Sequence, residues 1–119
     1  MDERPQFGVE LIRLSESVAV VDLEGEVDIY SSPQFRDVLL QGIGEGATHV
    51  VVDLAKVTFI DSTALGVVVD GVKGVRIRGG TLDIVCRDEN IRRIFQITGL
   101  DGILGMYHSR EEALRAAGK

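Results

Sequence analysis

The chain is poor in the residues that build covalent or metal-held frameworks. It has one cysteine, Cys86, so an intrachain disulfide and a cysteine-built zinc site are both excluded. Its two histidines, His49 and His108, lie far apart in sequence and read as incidental strand or loop residues rather than metal ligands. It contains no run of about 18 apolar residues, which excludes a membrane-spanning helix. The opening residues Met1-Asp2-Glu3-Arg4-Pro5 lack the apolar stretch of a secretory signal, so a cytoplasmic protein is expected. Basic residues are outnumbered, 13 against 19 acidic ones, for a net charge of −6. Such a balance argues against binding nucleic acid or an anionic membrane, because both require a basic surface. The only candidates for a local basic patch are Arg76, Arg78, Arg92 and Arg93.

What is present is an ordinary globular chain. Of its 119 residues, 45% are hydrophobic, enough for one core. With no repeat, low-complexity tract or linker, residues 1–119 are expected to form a single domain. Phe7 to Leu14 alternates as a strand, Ser15-Glu16-Ser17 is a polar turn, and Val18 to Leu23 reads as a second, antiparallel strand. Ser32 before Pro33 predicts a helix start capped by the serine, with Phe35, Val38, Leu39 and Ile43 as its apolar face and Gly42, Gly44 and Gly46 at its end. The continuous run His49 to Leu54 predicts a central parallel strand buried on both faces.

A second helix is predicted from Ser62. Ala64, Leu65, Val68, Val72 and Val75 form its apolar arc, Thr63, Gly66, Asp70 and Gly74 lie opposite, and Val67 sits at the margin. Thr81 to Cys86 is the next strand, with Cys86 as a buried small hydrophobe. Asp88 caps a third helix that buries Ile91, Ile94 and Phe95 and ends at Gly99-Leu100. Ile103 to Tyr107 is the last strand, and Ser109-Arg110-Glu111-Glu112 opens a final helix with a capping box. The order β-β-α-β-α-β-α-β-α predicts a mixed, mostly parallel α/β sheet with right-handed crossovers and helices mainly on one side.

Chemistry concentrates at Val57-Thr58-Phe59-Ile60-Asp61-Ser62-Thr63-Ala64-Leu65-Gly66, where the central strand meets a helix N-terminus. Free backbone N–H groups and the helix dipole favour an anion there. A serine in that position is accessible to a kinase, while the local pattern also allows Asp61 or Ser62 to be a plain helix cap. A catalytic alternative brings Asp28, Asp53 and Asp61 together near the strand ends, where three carboxylates can hold a divalent ion. Against it, no base–nucleophile pair accompanies Ser62. Moreover, Gly42-Ile43-Gly44-Glu45-Gly46 follows a helix instead of opening one and lacks the Gly-Lys-Ser/Thr ending of a phosphate loop. Neither catalysis nor a cofactor is expected.

The stretch VTFIDSTALGVVV resembles the signature of the STAS domain of anti-sigma-factor antagonists, with Asp-Ser-Thr followed by a small residue and Leu-Gly. Gly25-Glu26-Val27-Asp28 matches that family's Gly-Glu-x-Asp loop, and Asp88 to Leu100 matches its third helix and exit. Ala64 stands where many members have glycine. The resemblance implies an antagonist that, unphosphorylated, captures an anti-sigma factor with serine kinase activity and so frees a sigma factor. Phosphorylation of Ser62, with Thr63 as the alternative acceptor, would break the capture, and a PP2C-type phosphatase would restore it. Asp28 and Asp61 would flank the partner surface, which is expected to include Ser62, Thr63 and the outward face of the helix at Val67 and Asp70. A second reading is a STAS accessory subunit of a transporter or a stress-signalling scaffold, which shares the fold.

Overall fold

The computed structural model describes residues 7–117, and the reading of the opening residues 1–5 lies outside them. Five strands form one sheet in the order β1-β2-β3-β4-β5. They are β1 (Gly8–Arg13), β2 (Val18–Val27), β3 (His49–Ile60), β4 (Thr81–Val85) and β5 (Gly105–Tyr107). β1 runs antiparallel to β2 and every other neighbouring pair is parallel. Helices α1 (Ser32–Gly44), α2 (Ser62–Arg76) and α3 (Glu89–Ile97) each connect two parallel strands, and α4 (Arg110–Ala117) follows β5. The predicted order of elements and the mixed sheet are those observed.

The strand order explains where the helices sit. Because the strands advance in one direction across the sheet, three right-handed crossovers place α1, α2 and α3 on the same face. There Val21, Val50, Val52 and Ile84 pack against Phe35, Leu39, Val68, Val72 and Phe95. α4 covers part of the opposite face, where Ala113 meets Val20, Val51 and Val85. β3 is therefore buried on both sides over Val50 to Leu54, while His49 at the start of the run is only half-buried. Cys86 is fully buried, and burial pushes its thiol pKa up.

Several boundaries differ from the sequence reading. β2 continues past Leu23 to Val27, and β3 continues past Leu54 to Ile60. These extensions pair with each other from Glu24 against Lys56 to Val27 against Ile60, after one register shift between Asp22 and Glu24 and across a second between Gly25 and Glu26. Each shift breaks the two-residue alternation by which a strand is recognised. Toward the other edge, β4 stops at Val85, and β5 starts only at Gly105, after Leu100–Gly102 has formed a short 3-10 turn that follows Gly99 in the left-handed region at φ 77°. The expected serine cap of α1 is not formed: the N-cap position falls one residue earlier, and its side chain makes no capping hydrogen bond. Ser31 is the N-cap position and buried Ser32 is the first helical residue. The remaining helix starts are as predicted. Asp88 accepts from the N–H groups of Asn90 and Ile91 at 2.8 and 3.1 Å, and Ser109 Oγ accepts from Glu112 N at 3.1 Å.

Candidate functional site

Two connections meet at one end of the sheet. The β2–α1 loop holds Asp28, Ile29, Tyr30 and Ser31, and the β3–α2 junction holds Asp61, Ser62 and Thr63. Asp61 N donates to Val27 O at 3.3 Å, which fixes the junction against the end of β2.

Asp61 is the N-cap of α2, in extended conformation. Its Oδ1 accepts from Thr63 N at 2.9 Å, from Ala64 N at 3.3 Å and, in a short contact, from the Thr63 hydroxyl. Its Oδ2 accepts from Ile29 N at 3.1 Å, tying the other loop to the same carboxylate. Partial burial pushes the Asp61 pKa up, but the donors from Thr63, Ala64 and Ile29 outweigh it and hold the group below its ordinary 3.8. Of the two candidate caps in the sequence, Asp61 is thus the one used.

That geometry corrects the expected anion site. The N–H groups of Thr63 and Ala64 are not free for a bound anion, because Asp61 already occupies them. The carboxylate also answers the helix dipole before any other negative charge arrives.

Ser62 is the first residue of α2, and it is exposed. Its hydroxyl has no hydrogen-bond partner among the described residues. Thr63 differs: its hydroxyl donates to Asp61 and lies 3.0 Å from Ser32 Oγ, so Ser32 is left to donate to it. This Ser32–Thr63–Asp61 chain joins the start of α1 to the start of α2.

Asp28 also serves its own loop. Its Oδ1 accepts from Tyr30 N at 2.9 Å and from Ser31 N at 3.1 Å, while Asp28 N donates to Ser31 Oγ at 2.9 Å. The expected grouping of Asp28, Asp61, Ser62 and Thr63 is therefore present, with both aspartates fixing backbone. Asp70 lies two turns further along α2, on the same face as Ser62 and Gly66, and pairs with Arg36 of α1 at 2.6 Å.

Val67 is not on the outward face. It is 3% exposed and packs into the main core. It forms the floor of a shallow groove of about 320 Å³ bounded by Ile29, Ser32, Pro33, Arg36, Asp37 and Thr63. Leu65, placed inward by the sequence pattern, is only partly buried. The apolar arc of α2 is rotated toward α1, which packs beside it.

Asp53 does not join Asp28 and Asp61. It lies under α4 on the opposite face, where its Oδ2 accepts from Arg110 Nε at 3.0 Å and its Oδ1 from Ala55 N at 2.9 Å. The three carboxylates considered for a metal therefore do not meet: two sit in loops at the end of the sheet and the third under α4.

The sequence reading missed the apolar character of this end. Ile29 and Tyr30 are 61% and 91% exposed, and Phe59, shortly before the cap, is 48% exposed. The available signal was an Ile-Tyr pair inside a loop, between a strand and a Ser-Pro helix start, where neither periodicity has a use for it.

Comparison with known proteins matches residues 11–113 to the STAS domain. The chain belongs to the STAS family. It is similar to the anti-sigma-B factor antagonist of Bacillus subtilis (strain 168), at 37% identity over 78% of this chain and 84% of that protein. It shares its fold with an anti-sigma factor antagonist from Mycobacterium paratuberculosis, with TM-score 0.87 and 24% identity over 96% of each chain. It also shares the fold of the anti-sigma factor antagonist SpoIIAA in its unphosphorylated form, with TM-score 0.74 and 22% identity over 92% of this chain and 96% of that one. The phosphorylated form of SpoIIAA gives the same TM-score of 0.74, over 92% of this chain and 98% of that one. The named relatives are antagonists, regulatory proteins rather than enzymes.

Proposed function

We propose that this STAS domain is a cytoplasmic anti-sigma-factor antagonist that works as a single binding module. Unphosphorylated, it captures an anti-sigma factor with serine kinase activity and so releases a sigma factor. Phosphorylation of Ser62 ends the capture, and a PP2C-type phosphatase reverses it. The observation that carries this reading is the division of labour at the start of α2. Asp61 does the capping and Thr63 is tied to Asp61 and Ser32, which leaves the exposed Ser62 hydroxyl free for transfer. The similarity to named antagonists supports the same assignment.

A phosphate on Ser62 would bring about −1.5 to −2 charges next to the Asp61 carboxylate. The two helix donors that would best offset it are already taken. Fold and cap need not change; the cost falls on any partner that must desolvate this surface.

The test uses purified anti-sigma-B factor of Bacillus subtilis as the probe. Immobilised Ser62→Ala retains it with or without ATP and Mg²⁺, wild type loses it as Ser62 gains a phosphate, and Ser62→Glu does not hold it. Transfer to Thr63 instead of Ser62, or equal binding by all three proteins, rejects the switch. A variant pair that ignores this probe but copurifies with a membrane transporter supports the accessory-subunit reading instead.

A further inference from the structure

We infer that Ile29 and Tyr30 are the apolar anchor of the partner interface and that the partner meets them with an apolar pocket rimmed by basic side chains. This rests on the reading of Ser62 as the switch and names the chemistry beside it.

The first argument is how the loop is held. Three successive backbone N–H groups, those of Ile29, Tyr30 and Ser31, donate to the carboxylates of Asp61 and Asp28. Ser31 Oγ in turn accepts from Asp28 N and donates to Glu26 O, both at 2.9 Å. The backbone under Ile29 and Tyr30 is thus fixed by polar groups, while their side chains remain 61% and 91% in water. They add nothing to the core, and leaving two large apolar side chains exposed side by side has no folding benefit. A rigid backbone carrying exposed aromatic and aliphatic side chains has already met the ordering cost that an interface otherwise imposes. Tyrosine is also among the residue types that dominate binding energy when their rings are buried by a partner.

The second argument is charge. Arg36, beside the groove, is neutralised by Asp70. Asp28, Asp37 and Asp61 remain around the patch with no cation paired to them among the described residues, in a chain of net charge −6. A partner with basic side chains around its pocket complements this rim, and the groove floored by Val67 offers a place for one of its apolar side chains. The acidic rim favours neither a nucleic acid nor an anionic lipid surface as occupant, since both carry the same sign of charge.

Calorimetric titration of the Bacillus subtilis anti-sigma-B factor with wild type, Ser62→Ala, Tyr30→Ala and Ile29→Ser decides the matter. Melting curves should coincide for wild type and Tyr30→Ala, because the ring touches little of the fold. Tyr30→Ala is expected to weaken binding by roughly 30-fold or more, the loss typical of an anchor residue, and Ile29→Ser by less. Wild-type affinity and association rate should fall as salt is raised. If wild type and Ser62→Ala bind tightly and Tyr30→Ala binds within about threefold of them, as an uninvolved side chain would, the anchor is refuted while the switch stands. If neither wild type nor Ser62→Ala binds, the switch reading fails and the anchor with it. A concentration-dependent dimer of the free chain, lost in Tyr30→Ala without loss of partner binding, would assign the patch to a second copy and overturn the proposal.

Discussion

Replacing Asp61 by alanine removes one acceptor from four donors at once. Three belong to the first turn of α2 and the fourth is Ile29 N, in the neighbouring loop. Loss of an N-cap alone costs about 0.5–2 kcal/mol. The Thr63 hydroxyl and Ile29 N–H also lose their partner, but water reaches this end of the sheet, so each adds less than the full penalty for a buried orphan, which is about 1–3 kcal/mol. The total is about 2–3 kcal/mol, and a domain of this size loses about 4 °C of melting temperature per kcal/mol, giving a drop of roughly 8–12 °C. Asp61→Asn keeps an oxygen at the cap but loses the charge on the helix dipole, about 0.3–1 kcal/mol, and sets an amide NH2 against Ile29 N–H where Oδ2 accepted. The charge contribution has a definite pH dependence. The folded pKa lies below the ordinary 3.8, so the stabilisation is fully present above that value and is lost as the pH falls through the lower folded value. Thermal melts followed by circular dichroism should therefore show a wider gap between wild type and Asp61→Asn at about pH 7 than near about pH 2. An Asp61→Ala protein melting within about 1 °C of wild type, well inside the change expected of a lost cap, would refute the assigned role. So would a wild-type to Asp61→Asn gap that is unchanged in acid.

Ser62 has no such duty, so Ser62→Ala and Ser62→Glu should both melt within about 2 °C of wild type, as surface substitutions within about 0.5 kcal/mol do. Gly66 is a helical residue where an added Cβ would meet nothing within 4 Å, so Gly66→Ala should raise stability by up to about 1 kcal/mol in melts. Because Gly66 sits one turn from Ser62 on the same exposed face, the same variant should bind the anti-sigma factor more weakly in titration. Arg110→Ala leaves the Asp53 carboxylate, with a side chain only 8% exposed, without its cation, and should lower the urea midpoint by the equivalent of about 1–3 kcal/mol. Exposed Lys56→Ala should shift that midpoint far less.

Elements carried by local rules were legible in the sequence. The buried run of β3, the Asp88 cap and the Gly99 terminator each follow from a few adjacent residues, and each is where those residues place it. Elements set by pairing across the fold were not. The extension of β2 and β3 depends on two register shifts between them, and the rotation of α2 that buries Val67 depends on α1. At the site, Asp61, Ser62 and Thr63 could be named from the motif, but not which of them caps the helix. Nor could the ties that bind the site to the other loop be named: Asp61 accepts from Ile29 N, 32 positions earlier, and Thr63 meets Ser32, 31 positions earlier. The Arg110 clamp is of the same kind: its Nη2 also lies 3.5 Å from Asp22, and that aspartate faces Asp53 across the β2–β3 register.

The placement of the cap, Asp61, and the proposed acceptor, Ser62, in adjacent residues has a genetic consequence. Alleles at codon 61 remove a structural support, so they should behave as temperature-sensitive losses that a good copy of the gene covers. Alleles at codon 62 leave the domain intact and, under the proposed switching, fix its output. An alanine there would hold the anti-sigma factor continuously and should be dominant over a wild-type copy in the same cell, whereas a glutamate would be a folded, recessive null. A screen for constitutive sigma-factor activity would therefore recover codon 62 and pass over codon 61, even though the two side chains sit at the same helix start.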